Sequence, residues 1–194
     1  MEFFVLVVLF GITLVVLLAL TLFGFAIVIT FAIAASLEVP YVVTPRAFYQ
    51  AITDALNIQP DDTVYELGSG NGGFLLTLAS QFPGTRFVGL ERNAMLYWYS
   101  CVRKRTLYGN PPNVSFRREN FLTAEFSEAT KMYVYLYNSI MDQLLPRFES
   151  EVGTLRIASR AFQFKHKEAS HIVELSKKPG NHGQHLLYVY DFIK

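Results

Sequence analysis

Residues Thr63 to Gly73 read Thr-Val-Tyr-Glu-Leu-Gly-Ser-Gly-Asn-Gly-Gly, and this stretch decides the fold. A short β-type run ends at an acid, passes through a glycine cluster and continues into the apolar run 74–78, which is predicted to be helical. Glycine permits positive φ and a close approach of the backbone to a ligand, and a new helix begins with free N–H groups. A strand, a glycine loop and a helix in this order open a nucleotide-binding α/β domain.

The glycine pattern fits two kinds of ligand. Gly68, Gly70 and Gly73 satisfy the dinucleotide fingerprint G-x-G-x-x-G, which is a weak signal by itself. Glu66 precedes the loop, and a carboxylate there would oppose a pyrophosphate but favour a cation. S-adenosylmethionine (SAM) carries a sulfonium and an ammonium and has no phosphate. Acid-x-Gly-x-Gly-x-Gly resembles the first motif of class I SAM-dependent methyltransferases. We therefore expect five residues of this motif to bind SAM: Glu66, Gly68, Ser69, Gly70 and Gly72.

The overall composition argues against several other classes. The 194 residues leave room for one domain of ordinary size beside one long apolar segment. The net charge of +1 at pH 7 argues against a partner nucleic acid, because phosphate contacts need a basic face. The single Cys101 excludes an internal disulfide framework and argues against a cysteine-ligated metal. His182 and His185 lie in a predicted turn without further ligand spacing, so we expect no metal site.

The N-terminal segment is predicted to anchor the chain in a membrane. From Phe3 to Ala35 it contains no Asp, Glu, Lys or Arg, and it exceeds the ~20 residues that a helix needs to cross a bilayer. A cleaved signal peptide is the alternative, since Ala32-Ile33-Ala34 resembles a cleavage site. The segment, however, lacks a basic n-region and far exceeds the length of an h-region. Basic residues follow the span, so the positive-inside tendency places the domain in the cytoplasm, or in the matrix if the membrane is mitochondrial.

Three regions are expected along the chain. Residues 1–36 form the transmembrane anchor, 37–60 form a connector and a helix that covers the cofactor site, and 61–194 form the catalytic domain. Thr44 is predicted to cap that helix, with Pro45 at its first position. The connector is too short to act as a free tether, so we expect the domain to lie close to the membrane.

Periodic apolar runs predict the rest of the domain. We expect α/β architecture: a Rossmann-like seven-stranded sheet of the class I methyltransferase type. The last two strands have no helix between them, so they must form an antiparallel hairpin. The predicted strands are 63–66, 86–91, 114–118, 131–137, 154–161, 172–175 and 186–192, and the predicted helices are about 73–81, 93–107 and 140–151.

The helix at 93–107 is predicted to begin at Asn93 as its N-cap. Its apolar stripe is expected to face inward and consists of Met95, Trp98, Tyr99 and Val102. The basic run 103–105 falls in the last turns, where cations suit the helix dipole, and contact with anionic lipid is the alternative.

Polar residues at other strand ends are further candidates for the site. Glu91 ends the second strand, where an acid suits hydrogen bonds to ribose hydroxyls. In SAM enzymes a polar residue after the third strand often contacts the adenine amine, with an apolar neighbour against the ring, and Asn120 and Phe121 occupy that place. Tyr137 and Asn138 follow the fourth strand, where open α/β sheets bind their ligands.

A wider resemblance now covers nearly the whole chain. A hydrophobic N-terminus, Val39-Pro40-Tyr41-Val42-Val43-Thr44-Pro45 and the Glu66 motif together resemble one family of membrane-anchored protein-lysine methyltransferases. Its members modify the ATP synthase c-subunit and the adenine nucleotide translocase, and it has prokaryotic relatives. Glu91-Arg92-Asn93 matches its Glu-x-Asn, and Trp98-Tyr99-Ser100 matches its aromatic-Tyr-Ser. The resemblance adds four expected cofactor-site residues: Tyr41, Thr44, Arg92 and Asn93.

Two segments depart from that family's pattern. Its Asp-aromatic pair is here Asn120-Phe121, and its proline-containing segment after the fourth strand is replaced by Tyr137-Asn138-Ser139. The second departure lies near the acceptor site, so it bears on the substrate more than on SAM binding.

The resemblance implies methyl transfer from SAM to a lysine ε-amine of a membrane protein. No strong general base is visible, so Tyr137 and Asn138 are expected to position the acceptor as the catalytic pair. Three alternatives stay open: a lipid or quinone methyltransferase, a non-catalytic SAM-binding membrane scaffold, and a dehydrogenase.

Overall fold

The structure, a computed structural model, describes residues 1–35, 42–176 and 185–193. The chain divides into two units, Met1–Pro40 and Tyr41–Lys194. In the first unit, one continuous helix, α1, runs from Glu2 to Ala35. Within the described residues it is the one helix long and apolar enough to cross a membrane, over Glu2–Ile29. Its Thr13 and Thr21 hydroxyls donate to the carbonyls of Leu9 and Leu18, so neither threonine leaves an unpaired donor on the apolar surface.

The second unit alternates strands and helices. A 3-10 turn (Arg46–Phe48) leads into the first of its helices. The helices are α2 (Tyr49–Leu56), α3 (Gly73–Leu78), α4 (Ala94–Thr106) and α5 (Asn138–Glu151). The strands are β1 (Thr63–Leu67), β2 (Arg86–Leu90), β3 (Val114–Arg117), β4 (Lys131–Val134), β5 (Leu155–Arg160), β6 (His171–Glu174) and β7 (Leu186–Phe192).

Across the described residues, seven strands form one sheet in the order β3-β2-β1-β4-β5-β7-β6. The first five strands of the chain are parallel, while β7 runs antiparallel to both β5 and β6. The chain moves outward from β1 through β2 to β3 and then returns to the other side of β1 as β4. Ligands bind at such a reversal of strand order, which lies here between β1 and β4. The predicted class I methyltransferase sheet and its antiparallel hairpin are confirmed.

The two faces of the sheet bury different aromatic clusters. On one face Tyr133 of β4 contacts Phe74 of α3, which contacts Tyr49 of α2, with ring centroids 4.8 and 5.0 Å apart. On the other face Phe148 of α5 packs against Phe126, Phe164 and Phe192. Successive side chains of a strand point to opposite faces, so the sheet has an apolar layer on each side.

Several boundaries differ from the sequence prediction. β4 ends at Val134 rather than residue 137, and α5 begins at Asn138 rather than 140, so Tyr137 lies at the strand–helix junction. Thr44 does not cap a helix. Its hydroxyl bonds the Tyr133 hydroxyl at 2.7 Å, and Pro45 instead precedes the 3-10 turn.

The predicted inward face of α4 is wrong. Asn93 does cap the helix, since its Oδ1 accepts from the Met95 and Leu96 N–H groups. The apolar stripe, however, faces solvent, and Ser100 is the one buried residue among the described side chains of α4. A short polar side chain allows the helix to approach the sheet closely, and the large side chains are left outside. The periodicity was correct but the buried side was not.

Candidate active site

Strand register brings the predicted site residues to one edge of the sheet. Leu67 of β1 is paired with Leu90 of β2 and with Val134 of β4, and Val134 is paired with Ser159 of β5. The residues that follow these positions therefore meet at the carboxyl ends of the central strands. The glycine loop, Glu91, the segment 135–138 and Arg160 all lie at this edge.

The glycine loop is held by its own backbone. Gly68, Gly70 and Gly72 have φ of 74°, 54° and 68°, a region that glycine adopts without strain. The N–H groups of Gly68 and Ser69 both donate to the Leu90 carbonyl, at 2.9 and 3.0 Å. The N–H of Gly72 donates to the Ser69 carbonyl, and that of Gly73 to Asn71 Oδ1. These donors are already paired, so they do not form a cradle for a pyrophosphate.

Two buried polar atoms beside this loop lack a partner. Glu66 is 7% exposed and Ser69 is 5% exposed, and among the described residues Glu66 Oε2 and Ser69 Oγ accept or donate no hydrogen bond. Burial raises the pKa of Glu66 well above its usual value of 4.5, and the nearby charge of Glu91 raises it further. A buried carboxylate without a partner is costly unless a ligand supplies a donor or a positive charge.

Glu91 is fixed by two backbone donors. Its Oε2 accepts from Gly70 N–H at 2.8 Å, and its Oε1 accepts from Asn93 N–H at 2.7 Å. The carboxylate therefore joins the glycine loop to the start of α4. Each oxygen keeps a second lone pair, which leaves two acceptors for the hydroxyls of a ribose.

These observations test which ligand fits. Glu66 and Glu91 are both buried at the loop, and the loop N–H groups named above are bonded internally. A pyrophosphate would meet two carboxylates and few free donors. A ligand with an ammonium, a sulfonium and ribose hydroxyls would instead supply what the two acids lack. The site fits SAM and does not fit a dinucleotide.

Two residues that the sequence analysis did not assign to the site support the loop. The ring of Phe116 fills the space beside Gly72 and Gly89, where an added Cβ would lie 2.3 and 2.7 Å from its atoms. Arg103 reaches from α4 to donate to the Asn71 carbonyl at 2.6 Å, and it lies over the rings of Tyr99 and Tyr108. Gly89 inside a strand was the available signal, because such a glycine marks close packing.

A second group of side chains lies beside Glu66, and of its members only Thr44 was expected at the site. The Tyr133 hydroxyl is buried and hydrogen-bonds to the Thr44 hydroxyl at 2.7 Å, and the nearby charge of Arg160 lowers the pKa of Tyr133 against the larger effect of burial. The Arg160 guanidinium also lies between the rings of Phe48 and Tyr135, at 5.1 and 4.5 Å from their centroids. Burial raises the pKa of Tyr133, and it raises that of Tyr49 to about 12, with the charge of Glu66 adding to both effects. This cluster places a positive charge next to the strand ends.

The predicted acceptor residues lie at the open side of this edge. Tyr137 is exposed, and its ring meets Phe162 edge-on at 5.1 Å between centroids. Asn138 is half-buried, and its Oδ1 accepts from Gln163 N–H at 3.3 Å. The side chains of Tyr137 and Asn138 thus join the start of α5 to the loop after β5.

The remaining predicted residues are placed as follows. Asn120 Oδ1 accepts from Leu122 N–H at 3.0 Å, so one lone pair of its carbonyl is already used. Phe121 is half-buried beside it, and Arg92 is exposed. Tyr41 lies outside the described residues, as does His182. The structure therefore brings Glu66, the glycine loop and Glu91 together, with the roles of the others still predictions.

Comparison with known proteins agrees with this geometry. Residues 66–171, more than half of the chain, match the family described as the ANTKMT methyltransferase domain. A protein-lysine N-methyltransferase of Saccharolobus islandicus (strain REY15A) is 28% identical over 156 residues, which cover 78% of this chain and 94% of that protein.

Solved structures share the fold. The RNA methyltransferase from Salinibacter ruber, in complex with S-adenosyl-L-homocysteine, has a TM-score of 0.69 and 24% identity, covering 79% of this chain and 95% of that one. The 23S rRNA methyltransferase ErmE has a TM-score of 0.55 and 17% identity, covering 77% and 69%. At these identities the likeness shows the architecture alone. The family match, together with the fold, means that this chain belongs to the ANTKMT methyltransferase domain family and is a SAM-dependent methyltransferase.

Proposed function

We propose that this enzyme is anchored in a membrane by α1 and methylates a lysine ε-amine of a membrane protein. The observation that carries the cofactor part of the proposal is the pair of unpaired buried atoms, Glu66 Oε2 and Ser69 Oγ, beside the carboxylate of Glu91. The Saccharolobus islandicus relative, named a protein-lysine N-methyltransferase, supports the choice of acceptor. The apolar length of α1 supports the anchor.

In this proposal the chain's residues bind and orient rather than perform covalent chemistry. The Glu66 carboxylate pairs with the positive charge of the cofactor, and the glycine loop sets the position of the cofactor. The Glu91 carboxylate accepts hydrogen bonds from the ribose hydroxyls. Asn120 and Phe121 contact the adenine. The bound SAM supplies an activated methyl group, and an in-line approach of the acceptor accounts for much of the rate.

The acceptor must arrive as a neutral amine. The lysine ammonium would first lose one proton to solvent, and SAM held by Glu66, the glycine loop and Glu91 would then supply the methyl group to the neutral amine. The Arg160 guanidinium lies among the strand ends, and a positive charge there disfavours an ammonium. Tyr137 and Asn138 line the entry for the lysine side chain. The exposed ring of Tyr137 gives the aliphatic part of that side chain an apolar wall.

The proposal is tested by incubating the purified enzyme and labelled SAM with membranes from cells that lack this protein. The membranes are separated afterwards into protein and lipid fractions, and the labelled protein is digested and weighed. We expect label in a protein band, on a lysine, that Glu66→Ala abolishes and that Glu125→Ala, an exposed acid on the same domain, retains. Label confined to lipid would instead identify a lipid methyltransferase.

A further inference from the structure

One face of α4 is apolar and exposed. Met95, Trp98, Tyr99 and Val102 are 68%, 62%, 54% and 52% exposed. At 3.6 residues per turn these four positions cover about 100° of the helix surface. This set is called the α4 face below. Single exposed apolar residues are ordinary, but a continuous stripe with two aromatic side chains indicates an interaction surface.

The exposure of the α4 face is not explained by poor packing of α4 on the domain. Its opposite side is well occupied: Ser100 is fully buried, and Lys104 Nζ donates to the Val114 carbonyl of β3. Arg103 binds the glycine loop. The other long helix behaves differently, since α5 buries its apolar side chains, Met141, Leu144 and Phe148 among them. In α4 the chain turns its polar side to the domain and its apolar side outward.

The charged residues of α4 itself have one sign. Ala94–Thr106 contains no Asp or Glu. Arg105 is exposed and lies two turns after Trp98 on nearly the same side of the helix, about 20° away around the axis. Arg92 is exposed just before the N-cap. A basic helix with Trp and Tyr on its apolar side is typical of one that lies in the headgroup region of an anionic bilayer.

We propose that the α4 face lies on the surface of the anionic membrane that α1 spans. The proposal rests on the anchoring role of α1 given above. Only residues 36–45 separate α1 from the 3-10 turn, and a segment of that length reaches at most about 35 Å. The bilayer is therefore always within reach, at a high effective concentration. Trp98 and Tyr99 have the rings that prefer the boundary between headgroups and acyl chains.

Trp98 is the one tryptophan of the chain, which makes the contact measurable. The full-length protein is placed in lipid nanodiscs that contain either phosphatidylcholine alone or a mixture with phosphatidylserine. Tryptophan emission is then quenched with lipids that carry a spin label near the headgroup or deep in the acyl chain. We expect quenching by the shallow label, more than by the deep one, and stronger quenching in the discs with phosphatidylserine.

Two substitutions and two controls sharpen the result. Arg105→Glu should lower the ratio of docked to undocked protein by about fivefold or more, because a cation near an anionic surface contributes on that order. Val102→Ser should lower it by a comparable factor. Lys165→Glu and Ile172→Ser change an exposed cation and an exposed apolar residue away from α4, and both should leave quenching unchanged.

Other outcomes would overturn the proposal, and each points elsewhere. A chain that co-elutes with the discs but shows no quenching has an anchor and no docked α4. Blue-shifted emission without quenching means that protein, a second copy or α1 itself, covers the face. Failure of the protein to enter the discs would contradict the anchoring role of α1 as well as the docking of α4. SAM binding measured by calorimetry on the same samples reports the enzyme site independently of all three.

Discussion

Glu66 is the single residue whose ionisation should couple the fold to the cofactor. Burial raises its pKa well above 4.5 in the free protein, so the folded chain holds a proton that the unfolded chain has lost. Stability contributed by this site is therefore complete below the unfolded pKa and decreases as pH rises through the folded pKa. A cationic ligand favours the carboxylate, so SAM affinity should increase across the same interval of pH.

We expect Glu66→Gln to separate these two effects. The amide stays neutral without binding a proton, so the cost of burying a carboxyl group at this position is removed and the ligand-free variant should be more stable at pH 7 by about 0.5–2 kcal/mol. It should also bind SAM at least tenfold more weakly, and that affinity should no longer depend on pH in the acidic range. Thermal melting and calorimetry in two buffers of different ionisation enthalpy measure both effects. Glu125→Gln is the surface control, and unchanged SAM affinity in Glu66→Gln would remove Glu66 from the site.

Gly72 illustrates a requirement of both backbone and space. Its φ is 68°, and an added Cβ would lie 2.3 Å from the ring of Phe116. Gly109 has nearly the same φ, 67°, but an added Cβ there meets nothing within 4 Å. Gly109→Ala should therefore cost only the backbone strain, about 1–2 kcal/mol. Gly72→Ala should cost about 1–3 kcal/mol more, because the ring must move.

Urea denaturation of the two alanine variants measures that difference directly. The additional variant Gly72→Ala with Phe116→Leu shortens the obstructing side chain and should recover part of the loss. Equal destabilisation by Gly72→Ala and Gly109→Ala would show that Phe116 moves aside freely and does not hold the loop.

At the scale of the elements, α5 packs against two connecting segments that form no helix. Residues 118–130 and 161–170 connect strands through turns, and Phe126 and Phe164 from these two segments pack on Phe148 of α5. One fully buried ring therefore joins two connections and strand β7, through Phe192. We expect Phe148→Ala to lower the free energy of unfolding by about 3–5 kcal/mol.

The neighbouring substitution Glu149→Ala provides the control, since Glu149 lies on the exposed side of the same helix. Its effect should stay within about 0.5 kcal/mol. Denaturation followed by both far-UV and near-UV circular dichroism distinguishes global loss of stability from local loosening. A Phe148→Ala variant within 1 kcal/mol of the parent would mean that the segments around α5 repack around the cavity.

The elements also show what a single sequence can predict. β7 was predicted at its observed bounds, whereas β1 was predicted to end at Glu66 and continues to Leu67, which still pairs with β2 and β4. β4 was predicted too long, since Tyr135 and Tyr137 continue its alternation after the ladder has ended. The α4 stripe was assigned to the wrong side. Periodicity shows that large apolar side chains share a face, but only the packing of Ser100 and Lys104 on the sheet shows which face is inside.

The site was predictable to the extent that it is local in sequence. Glu66, the glycine loop and Glu91 belong to one strand–loop–helix–strand unit, and the structure brings them together as expected. Arg160 and Phe116 lie far along the chain and were missed, because only the order of the strands places them beside the loop. An arginine at a strand end carries no signal of its own until the neighbouring strands are known.

The whole molecule combines an apolar helix with a domain in which the N–H groups of the glycine loop named above are already bonded within the protein. The proposed anchor is tested on the full chain by placing a charge in the middle of α1. An arginine at the centre of a spanning helix costs about 2.5–3.5 kcal/mol for insertion, and two together exceed what a shorter apolar run can offset. We expect Val16→Arg with Leu17→Arg to shift the protein from the membrane fraction, resistant to carbonate, toward the soluble or aggregated fraction. Val16→Leu with Leu17→Ala keeps the segment apolar and should remain in the membrane.

Mass measurement of the purified parent protein distinguishes an anchor from a cleaved signal peptide. An intact N-terminus supports an anchor, whereas loss of the segment before residue 36 identifies a cleaved signal.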